Sequence, residues 1–254
     1  MKRFFAFCLL SGMMCLAGLQ AQVRIVAHRG HWKPEGSAQN SLASLTKADS
    51  IGCFASEFDV WYTADGDLVV DHDKTFKGVN MEESDSKTIR QVILDNGEPL
   101  PTLDEYLRRA LTLPRLRLVL EMKPLTDMNR EDEAVQKIIA KLKEYQLLER
   151  TDIISFSINA CLEFKKSLPD TKIYYLEGDL PPAHIKSLGL AGIDYSMAVM
   201  RQHPEWLEQC RQAGLEVNVW TVDKEEDLRY FIAQGVDYIT TNEPELLQRI
   251  LQEP

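Results

Sequence analysis

The sequence predicts one α/β domain with the (β/α)8 architecture of a TIM barrel and a small insertion after the second strand. Short β-rich runs alternate with amphipathic helical stretches along the chain. Eight such pairs occupy roughly 230 residues, which is the size of one barrel. The chain has 254 residues, of which 44% are hydrophobic, so it is able to bury a sizeable core. A doubly wound open sheet is the alternative fold.

The predicted elements alternate from one end of the chain to the other. The strands are Arg24–Ala27, Ser56–Tyr62, Arg117–Met122, Ile153–Phe156, Lys172–Leu176, Gly192–Tyr195, Glu216–Thr221 and Tyr238–Thr240. The helices are Leu42–Ile51, Leu103–Leu111, Glu131–Tyr145, Ala160–Ser167, Pro182–Ser187, Glu205–Ala213, Glu225–Gln234 and Pro244–Leu251. His28-Arg29-Gly30 follows the first strand in place of the glycine-rich loop of a dinucleotide-binding open sheet, which favours the barrel.

One connection is longer than the rest and runs from Leu68 to Pro101. It contains a hairpin-like piece and an acidic run at residues 82–85, with Phe76 and Met81 as its main apolar side chains. Long loops after barrel strands lie over the mouth of the active site. We therefore expect this insertion to contact a substrate or to act as a lid.

The first 21 residues have the pattern of a signal peptide. Lys2 and Arg3 precede an almost wholly apolar run from Phe4 to Leu19, and Leu19-Gln20-Ala21 offers a cleavage site with a small residue before Gln22. The run is short for a membrane span of ~20 residues and no stop-transfer pattern follows it. We expect a mature domain of residues 22–254 in the periplasm or outside the cell, without stable membrane insertion. A lipid anchor at Cys15 is the alternative.

The mature chain is acidic. Loss of two basic residues with the signal peptide leaves 27 Lys and Arg, from 29, against 39 Asp and Glu, a formal net charge of −12. No basic run offsets this charge locally, which argues against a nucleic acid partner. The remaining Cys53, Cys161 and Cys210 are widely spaced, and we expect buried free thiols, with one disulfide as the alternative.

Polar pairs with a spacing of two mark the ends of several predicted strands. Glu57 and Asp59 form one pair, Glu121 and Lys123 form another on the next strand, and Asn218 and Trp220 form a third. Because side chains alternate along a strand, both members of each pair face the same way. Three converging carboxylates make an oxygen site of the kind that Ca²⁺ and Mg²⁺ prefer. A buried ion-pair network with Lys123 is the alternative.

Two histidines fall beside these carboxylates. His28 lies at the mouth end of the first strand, and His72 follows the run at residues 68–70. A metal to neutralise a phosphate, a cation to hold it and two imidazoles to move protons suit phosphodiester cleavage. His31 lacks such neighbours, and His184 and His203 are expected on the surface.

A series of short motifs resembles, in order, the glycerophosphodiester phosphodiesterase family. The motifs are Ala27-His28-Arg29-Gly30, Gln39-Asn40-Ser41-Leu42, Glu57-Phe58-Asp59-Val60, Val70-Asp71-His72-Asp73, Pro101-Thr102-Leu103-Asp104-Glu105, Leu120-Glu121-Met122-Lys123, Val217-Asn218-Val219-Trp220-Thr221 and Ile239-Thr240-Thr241-Asn242-Glu243-Pro244. Each motif alone is weak, but together they span the mature chain. The resemblance implies a TIM barrel that hydrolyses deacylated phospholipids to glycerol 3-phosphate and an alcohol.

The resemblance also implies a role for each matching residue. His28 and His72 would be the general acid and base. One divalent cation, Ca²⁺ or Mg²⁺, would be bound by Glu57, Asp59 and Glu121. Arg29 and Lys123 would hold the phosphate, and Trp220 would wall the pocket for glycerol or the alcohol. The residues do not specify the alcohol, which is choline, ethanolamine, glycerol, inositol or a larger group, or the oligomeric state.

One position departs from the family pattern. Gln39 stands before Asn40 where the family usually has glutamate, in a loop that is longer than usual. If that glutamate supports the metal or His28, the change would alter metal preference or substrate. Glu35 is a candidate replacement carboxylate from the same loop.

Two other functions compete with this one. A related barrel phosphodiesterase acting on lysolipids or sphingolipids would have an apolar docking loop at the barrel mouth, whereas the insertion here is polar and acidic. A non-catalytic exported binding protein would have lost a histidine or a metal carboxylate, and all of them are present. We therefore expect an enzyme that takes a small-molecule glycerophosphodiester.

Overall fold

A computed structural model describes residues 22–253, so the predicted signal peptide lies outside the described residues. The strands in this range are β1 (Arg24–Ala27), β2 (Ala55–Tyr62), β3 (Leu68–Val70), β4 (Thr75–Phe76), β5 (Val79–Asn80), β6 (Arg117–Met122), β7 (Thr151–Ser155), β8 (Ile173–Tyr175), β9 (Gly192–Ser196), β10 (Glu216–Trp220) and β11 (Tyr238–Thr241). The helices are α1 (Leu42–Ser50), α2 (Ser86–Ile89), α3 (Leu103–Leu111), α4 (Met128–Glu144), α5 (Ile158–Ser167), α6 (Pro182–Ser187), α7 (Met197–Gln202), α8 (Glu205–Ala213), α9 (Glu225–Gln234) and α10 (Pro244–Gln252).

The sheet closes into the predicted barrel. Eight strands of the described chain (β1, β2 and β6 to β11) are parallel to both neighbours, and β1 pairs with β2 on one side and with β11 on the other. The closed ring confirms the TIM barrel and excludes the open doubly wound sheet. All carboxyl ends of the strands therefore meet at one end of the barrel, where active sites of this fold lie.

The larger hydrophobic core lies between the strands and the surrounding helices. It includes Phe58, Val60, Leu118 and Leu120, all essentially inaccessible to solvent. These residues alternate with Glu57, Asp59, Val119 and Glu121, which face the inside of the barrel. The period-two pattern thus buries apolar side chains under the helices and directs polar ones to the barrel axis.

Helix capping accounts for two differences from the predicted boundaries. α4 begins at Met128 rather than Glu131 because the side chain of Asp127 accepts hydrogen bonds from the backbone N–H groups of Asn129 and Arg130. α5 begins at Ile158 rather than Ala160, after Ser157, whose side chain accepts from the N–H of Ala160. Such caps satisfy the free donors of a helix start and extend it by a few residues.

The insertion forms a packed unit with a small core of its own. β3 pairs antiparallel with the end of β2, and a β4–β5 hairpin and α2 follow. Met81, Val69 and Ile89 are fully buried in this core. The expectation that Phe76 and Met81 are its main apolar groups was therefore too narrow, because other apolar side chains fold inward with Met81.

The three cysteines are buried free thiols, as predicted for Cys53, Cys161 and Cys210. Within residues 22–253, no helix has the length and apolar character needed to cross a membrane.

Candidate active site

A group of three buried carboxylates lies at the carboxyl ends of neighbouring strands. Asp59 on β2 is in register with Glu121 on β6, and Glu57 lies two residues earlier on β2. One oxygen atom from each of the three lies within 4.8 Å of the other two. Oε1 of Glu57 is buried and has no hydrogen-bond partner. A buried carboxylate oxygen without a partner is rare in proteins, and this donor set suits a hard divalent cation.

Lys123 is part of the same group. Its ammonium nitrogen lies 2.6 Å from Oδ1 of Asp59 and 2.6 Å from Oε1 of Glu121. The metal-site hypothesis and the ion-pair hypothesis therefore involve the same side chains. If all three carboxyl groups are ionised, one ammonium leaves an excess of negative charge that a bound cation would offset.

The pKa values of the carboxyl groups reflect this crowding. Burial, followed by repulsion from Asp59, raises the pKa of Glu57 well above its usual range. The same two causes raise the pKa of Glu121 to about 8. Burial also opposes ionisation of Asp59, but Lys123, His72 and Asn40 outweigh it and lower the pKa of Asp59. Asp59 is therefore the carboxyl group that ionises most readily, and a bound cation would favour ionisation of Glu57 and Glu121.

The loop after β1 orients the phosphate-binding candidate Arg29. This residue has a φ of 58°, and Gly30 has a φ of 78°. A Cβ atom at Gly30 would lie 2.4 Å from Oγ of Ser44, so glycine is needed for the close approach to α1. The backbone N–H of Arg29 donates to Oε2 of Glu57 at 2.7 Å. The turn therefore ties the arginine to the carboxylate group.

Gln39, which stands where the family usually has glutamate, contacts Arg29 rather than the three carboxylates. Nη1 of Arg29 donates to Oε1 of Gln39 at 2.6 Å, so a neutral amide holds the guanidinium. The next residue, Asn40, donates from Nδ2 to Oδ2 of Asp59 at 2.8 Å. Glu35 is exposed and lies outside the carboxylate group, so it is not a replacement ligand.

His28 is oriented by a side-chain pair that sequence reasoning missed. Nδ1 of His28 lies 2.9 Å from Oδ1 of Asn242. Nδ2 of Asn242 donates to Oδ2 of Asp223 at 2.8 Å, and Nε1 of Trp32 donates to Oδ1 of Asn242 at 3.0 Å. Because Asp223 can only accept when ionised, Asn242 must present its oxygen to His28, and Nδ1 of the imidazole is the donor.

This arrangement leaves Nε2 of His28 as the proton acceptor. Burial, with Arg29 as the next cause, lowers the pKa of His28 to about 4, so the imidazole is neutral at neutral pH. Asn242 lies in one of the sequence motifs, and Asp223 follows Trp220 by three positions. Neither spacing indicated that they meet at His28.

His72 reaches the site from the start of the insertion. Its side chain is 36% exposed, and Nδ1 lies 2.7 Å from Oδ1 of Asp73. Burial lowers the pKa of His72, while Asp59 and Asp73 oppose that change. The second histidine is therefore more accessible to solvent than His28.

One pocket at the barrel mouth connects these groups. Its cavity volume is about 90 Å³, and six of the eight predicted site residues line it. The six are His28, Arg29, Glu57, His72, Glu121 and Trp220. Asp59 and Lys123 do not line the pocket and pair with each other at 2.6 Å behind its lining residues. Nε1 of Trp220 donates to the backbone oxygen of Asp194 at 2.9 Å, and its ring meets that of Phe156 edge-on.

The other histidines lie outside this pocket. His31 is buried near Glu245. His184 is exposed, as predicted, whereas His203 is half-buried because it stacks on the ring of Trp206.

Comparison with known proteins identifies the family. Residues 28–246 match the Glycerophosphoryl diester phosphodiesterase family. The chain belongs to this family. The match begins at His28, directly after β1, and extends into α10, so it covers the other seven barrel strands and all the residues that line the site pocket.

Relatives of this phosphodiesterase extend over nearly the same length. A glycerophosphodiester phosphodiesterase from Caldanaerobacter subterraneus is 30% identical over 90% of this chain and 98% of its own. The crystal structure of one from Parabacteroides distasonis has a TM-score of 0.89 and 43% identity, covering 91% of this chain and 97% of that chain. One from Agrobacterium tumefaciens has a TM-score of 0.73 and 25% identity, covering 89% and 99%. These matches confirm the predicted family, enzyme class and barrel.

Proposed function

We propose that this phosphodiesterase hydrolyses small glycerophosphodiesters to glycerol 3-phosphate and an alcohol, with His28 and His72 as its acid–base pair. The observation that carries the proposal is the arrangement of two imidazoles and three carboxylates around one pocket. Each imidazole has its Nδ1 atom held by an oxygen, from Asn242 in one case and Asp73 in the other. The Nε2 atoms are thereby available for proton transfer to and from a substrate.

Glu57, Asp59 and Glu121 would hold one divalent cation, Ca²⁺ or Mg²⁺. When bound, such an ion supplies positive charge to the oxygens of the reacting phosphate. Export to a compartment with access to calcium favours Ca²⁺. The unpaired Oε1 of Glu57 and the excess of carboxylates over ammonium groups support this ligand set.

The two histidines have different environments that suit different first roles. His28 is neutral and deeply placed, so it would take the proton of the glycerol hydroxyl that attacks phosphorus. His72 is more exposed and its Nδ1 is held by Asp73, and as the imidazolium it would give its Nε2 proton to the oxygen of the departing alcohol. A cyclic phosphate results, and water opens it with the two roles exchanged.

Arg29 and Lys123 would offset the charge that gathers on the phosphoryl oxygens. Arg29 lines the pocket, and Gln39 holds its side chain without neutralising it. Lys123 would act from behind the carboxylate group, where its ammonium now bonds Asp59 and Glu121. Preorganised charges in a site with little water are usually the largest contribution to such catalysis.

The intact-lipid alternative has less support. Most apolar side chains of the insertion, Met81, Val69 and Ile89 among them, are buried in its own core, and Ile93 is its one exposed large apolar side chain among the described residues.

We also propose export of the mature domain, residues 22–254, to the periplasm or beyond. The support for export is the sequence pattern of residues 1–21.

The products test the proposed reaction. Purified protein is incubated with glycerophosphocholine and the divalent cations, and the products are followed by phosphorus NMR. We expect glycerol 3-phosphate and no phosphocholine, because the alcohol other than glycerol leaves. Phosphocholine as the product would mean that the opposite ester bond breaks, and this would overturn the assignment.

A further inference from the structure

A buried carboxyl group lies on the floor of the site pocket and has no role in the reaction described above. Asp194 on β9 is 2% exposed and lines the pocket together with Trp220 and Phe156. Its Oδ2 accepts a hydrogen bond from Nδ2 of Asn218 at 3.0 Å. Its Oδ1 is buried and has no partner among the described residues. Buried polar atoms without a partner are rare, and those in pockets are candidates for ligand contact.

Strand geometry explains why this carboxyl faces the pocket. Its neighbours Ile193 and Tyr195 pack in the core under the helices, so Asp194 between them faces the barrel axis. The backbone oxygen of Asp194 also accepts the hydrogen bond from Nε1 of Trp220. The residue therefore fixes one wall of the pocket and forms part of its floor.

The free carboxyl oxygen at this floor is a hydrogen-bond acceptor. Oδ1 of Asp194 has no partner among the described residues, and Ile154 and Leu176, which line the same pocket, are apolar. A ligand group in this place would therefore have to donate hydrogen bonds. A hydroxyl or an ammonium group would qualify.

Two observations favour the hydroxyl. Burial raises the pKa of Asp194 to about 7, opposed only by Asn218, so the ionised and protonated forms both occur near neutral pH. A hydroxyl both donates and accepts and can pair with either form, whereas an ammonium pairs only with the ionised form. Asp194 is also 2% exposed and therefore lies at the inner end of the pocket, and an inner end suits the constant part of a substrate series. In glycerophosphodiesters the constant part is glycerol, and the variable part is the other alcohol.

We propose that Asp194 determines specificity by accepting a hydrogen bond from the terminal hydroxyl of the substrate's glycerol, the one farthest from the phosphate. This inference rests on the proposed function. It assigns a contact for the glycerol hydroxyl that does not react, and it makes the enzyme selective for a free glycerol end.

Two substrates test this contact directly. Glycerophosphocholine is compared with 2-hydroxypropyl phosphocholine, which keeps the hydroxyl that attacks phosphorus and lacks only the terminal one. We expect wild-type kcat/KM to be about 10- to 100-fold higher for glycerophosphocholine, the range for a buried hydrogen bond to a charged or polarised group.

In Asp194→Asn, the group that faces the pocket becomes an amide N–H. In Asp194→Ala, it is removed. Both variants should bring the ratio of the two kcat/KM values towards one, mainly by lowering kcat/KM for glycerophosphocholine.

A matched control separates this contact from the general loss of a buried carboxylate. Asp152 on β7 is 5% exposed and pairs with Arg117 at the opposite end of the barrel, at 2.8 Å. Asp152→Asn should leave the substrate ratio unchanged.

Three outcomes would overturn the proposal. Equal wild-type turnover of both substrates would remove the contact while leaving the proposed function intact. An equal loss of kcat/KM on both substrates in Asp194→Asn would mean that Asp194 has only a structural role. An Asp194→Asn effect confined to ethanolamine and choline esters, and absent for glycerophosphoglycerol, would mean that Asp194 contacts the cationic headgroup through its charge rather than a glycerol hydroxyl through a hydrogen bond. No turnover of glycerophosphocholine by the wild type would instead overturn the proposed function, and this inference with it.

Discussion

Oδ1 of Asn242 lies 2.9 Å from Nδ1 of His28, although 214 positions separate the two residues. The contact depends on the pairing of β1 with β11, which brings the end of the last strand beside the end of the first. Asp223 accepts one hydrogen bond from Nδ2 of Asn242 and one from its backbone N–H, both at 2.8 Å, and the first of these orients the side-chain amide. The tautomer of His28 is thus set by residues from the last quarter of the chain.

Replacement of Asn242 should therefore impair chemistry more than substrate binding. In Asn242→Leu, the imidazole of His28 loses the acceptor that fixes Nδ1–H, and we expect kcat to fall about 10- to 100-fold with KM nearly unchanged. Steady-state kinetics with glycerophosphocholine measure this, and nitrogen NMR of His28 reports the tautomer. An unchanged tautomer together with full kcat would show that Asn242 does not position the base.

Loss of either histidine should abolish turnover without loss of the fold. His28→Ala and His72→Ala remove a proton-transfer group, and we expect at least about a 100-fold lower kcat. Neither imidazole belongs to the hydrophobic core, so circular dichroism melting curves should stay close to that of the wild type. A variant with near-normal turnover would remove that histidine from the mechanism.

Substitution of a glutamate in the cluster of Glu57, Asp59 and Glu121 should weaken metal binding without lowering the stability of the metal-free protein. Glu57→Gln removes a buried carboxyl group whose pKa is raised by burial and by Asp59. We expect the chelator-treated variant to melt at the wild-type temperature or above it, and added Ca²⁺ or Mg²⁺ to raise its melting temperature less. Glu121→Gln should likewise require more metal for half-maximal activity. An unchanged metal titration would exclude the altered residue as a ligand.

The pH dependence of the metal-free protein follows from the raised pKa of Glu121, about 8 against an ordinary value of 4.5. The folded state holds this proton more tightly than the unfolded state. Stability from Glu121 is therefore fully present below about pH 4.5 and is lost as the pH rises towards 8. We expect the melting temperature of chelator-treated wild type, relative to Glu121→Gln, to fall between pH 5 and pH 8. A difference that is constant with pH would contradict the raised pKa.

The sequence predicted the parts of the site that depend on local pattern. Alternation along a strand was enough to place Glu57 and Asp59 on one face, and the parallel order of strands brought Glu121 beside them. Other contacts depend on distances in space that no spacing reveals. The orientation of His28 by Asn242, and the free oxygen of Asp194 under Trp220, are of this kind.

Local pattern also understated the insertion. Its charged residues suggested an open polar loop, but Val69, Met81 and Ile89 form a core across segments that are far apart in sequence. This core holds the insertion against the barrel and supports the strand end that leads to His72. The apolar residues involved have no regular period, so they gave no helix or strand signal.

Release of glycerol 3-phosphate by the metal-stripped enzyme shows whether the chain is a metal-dependent glycerophosphodiesterase. The protein is offered glycerophosphocholine, glycerophosphoethanolamine and glycerophosphoglycerol, with and without added Ca²⁺ or Mg²⁺. We expect no release without metal and restored release with one of the cations, on at least one of the three substrates. Equal release with and without metal, or none from any substrate by a folded protein that binds the cation, would contradict metal-dependent hydrolysis of glycerophosphodiesters.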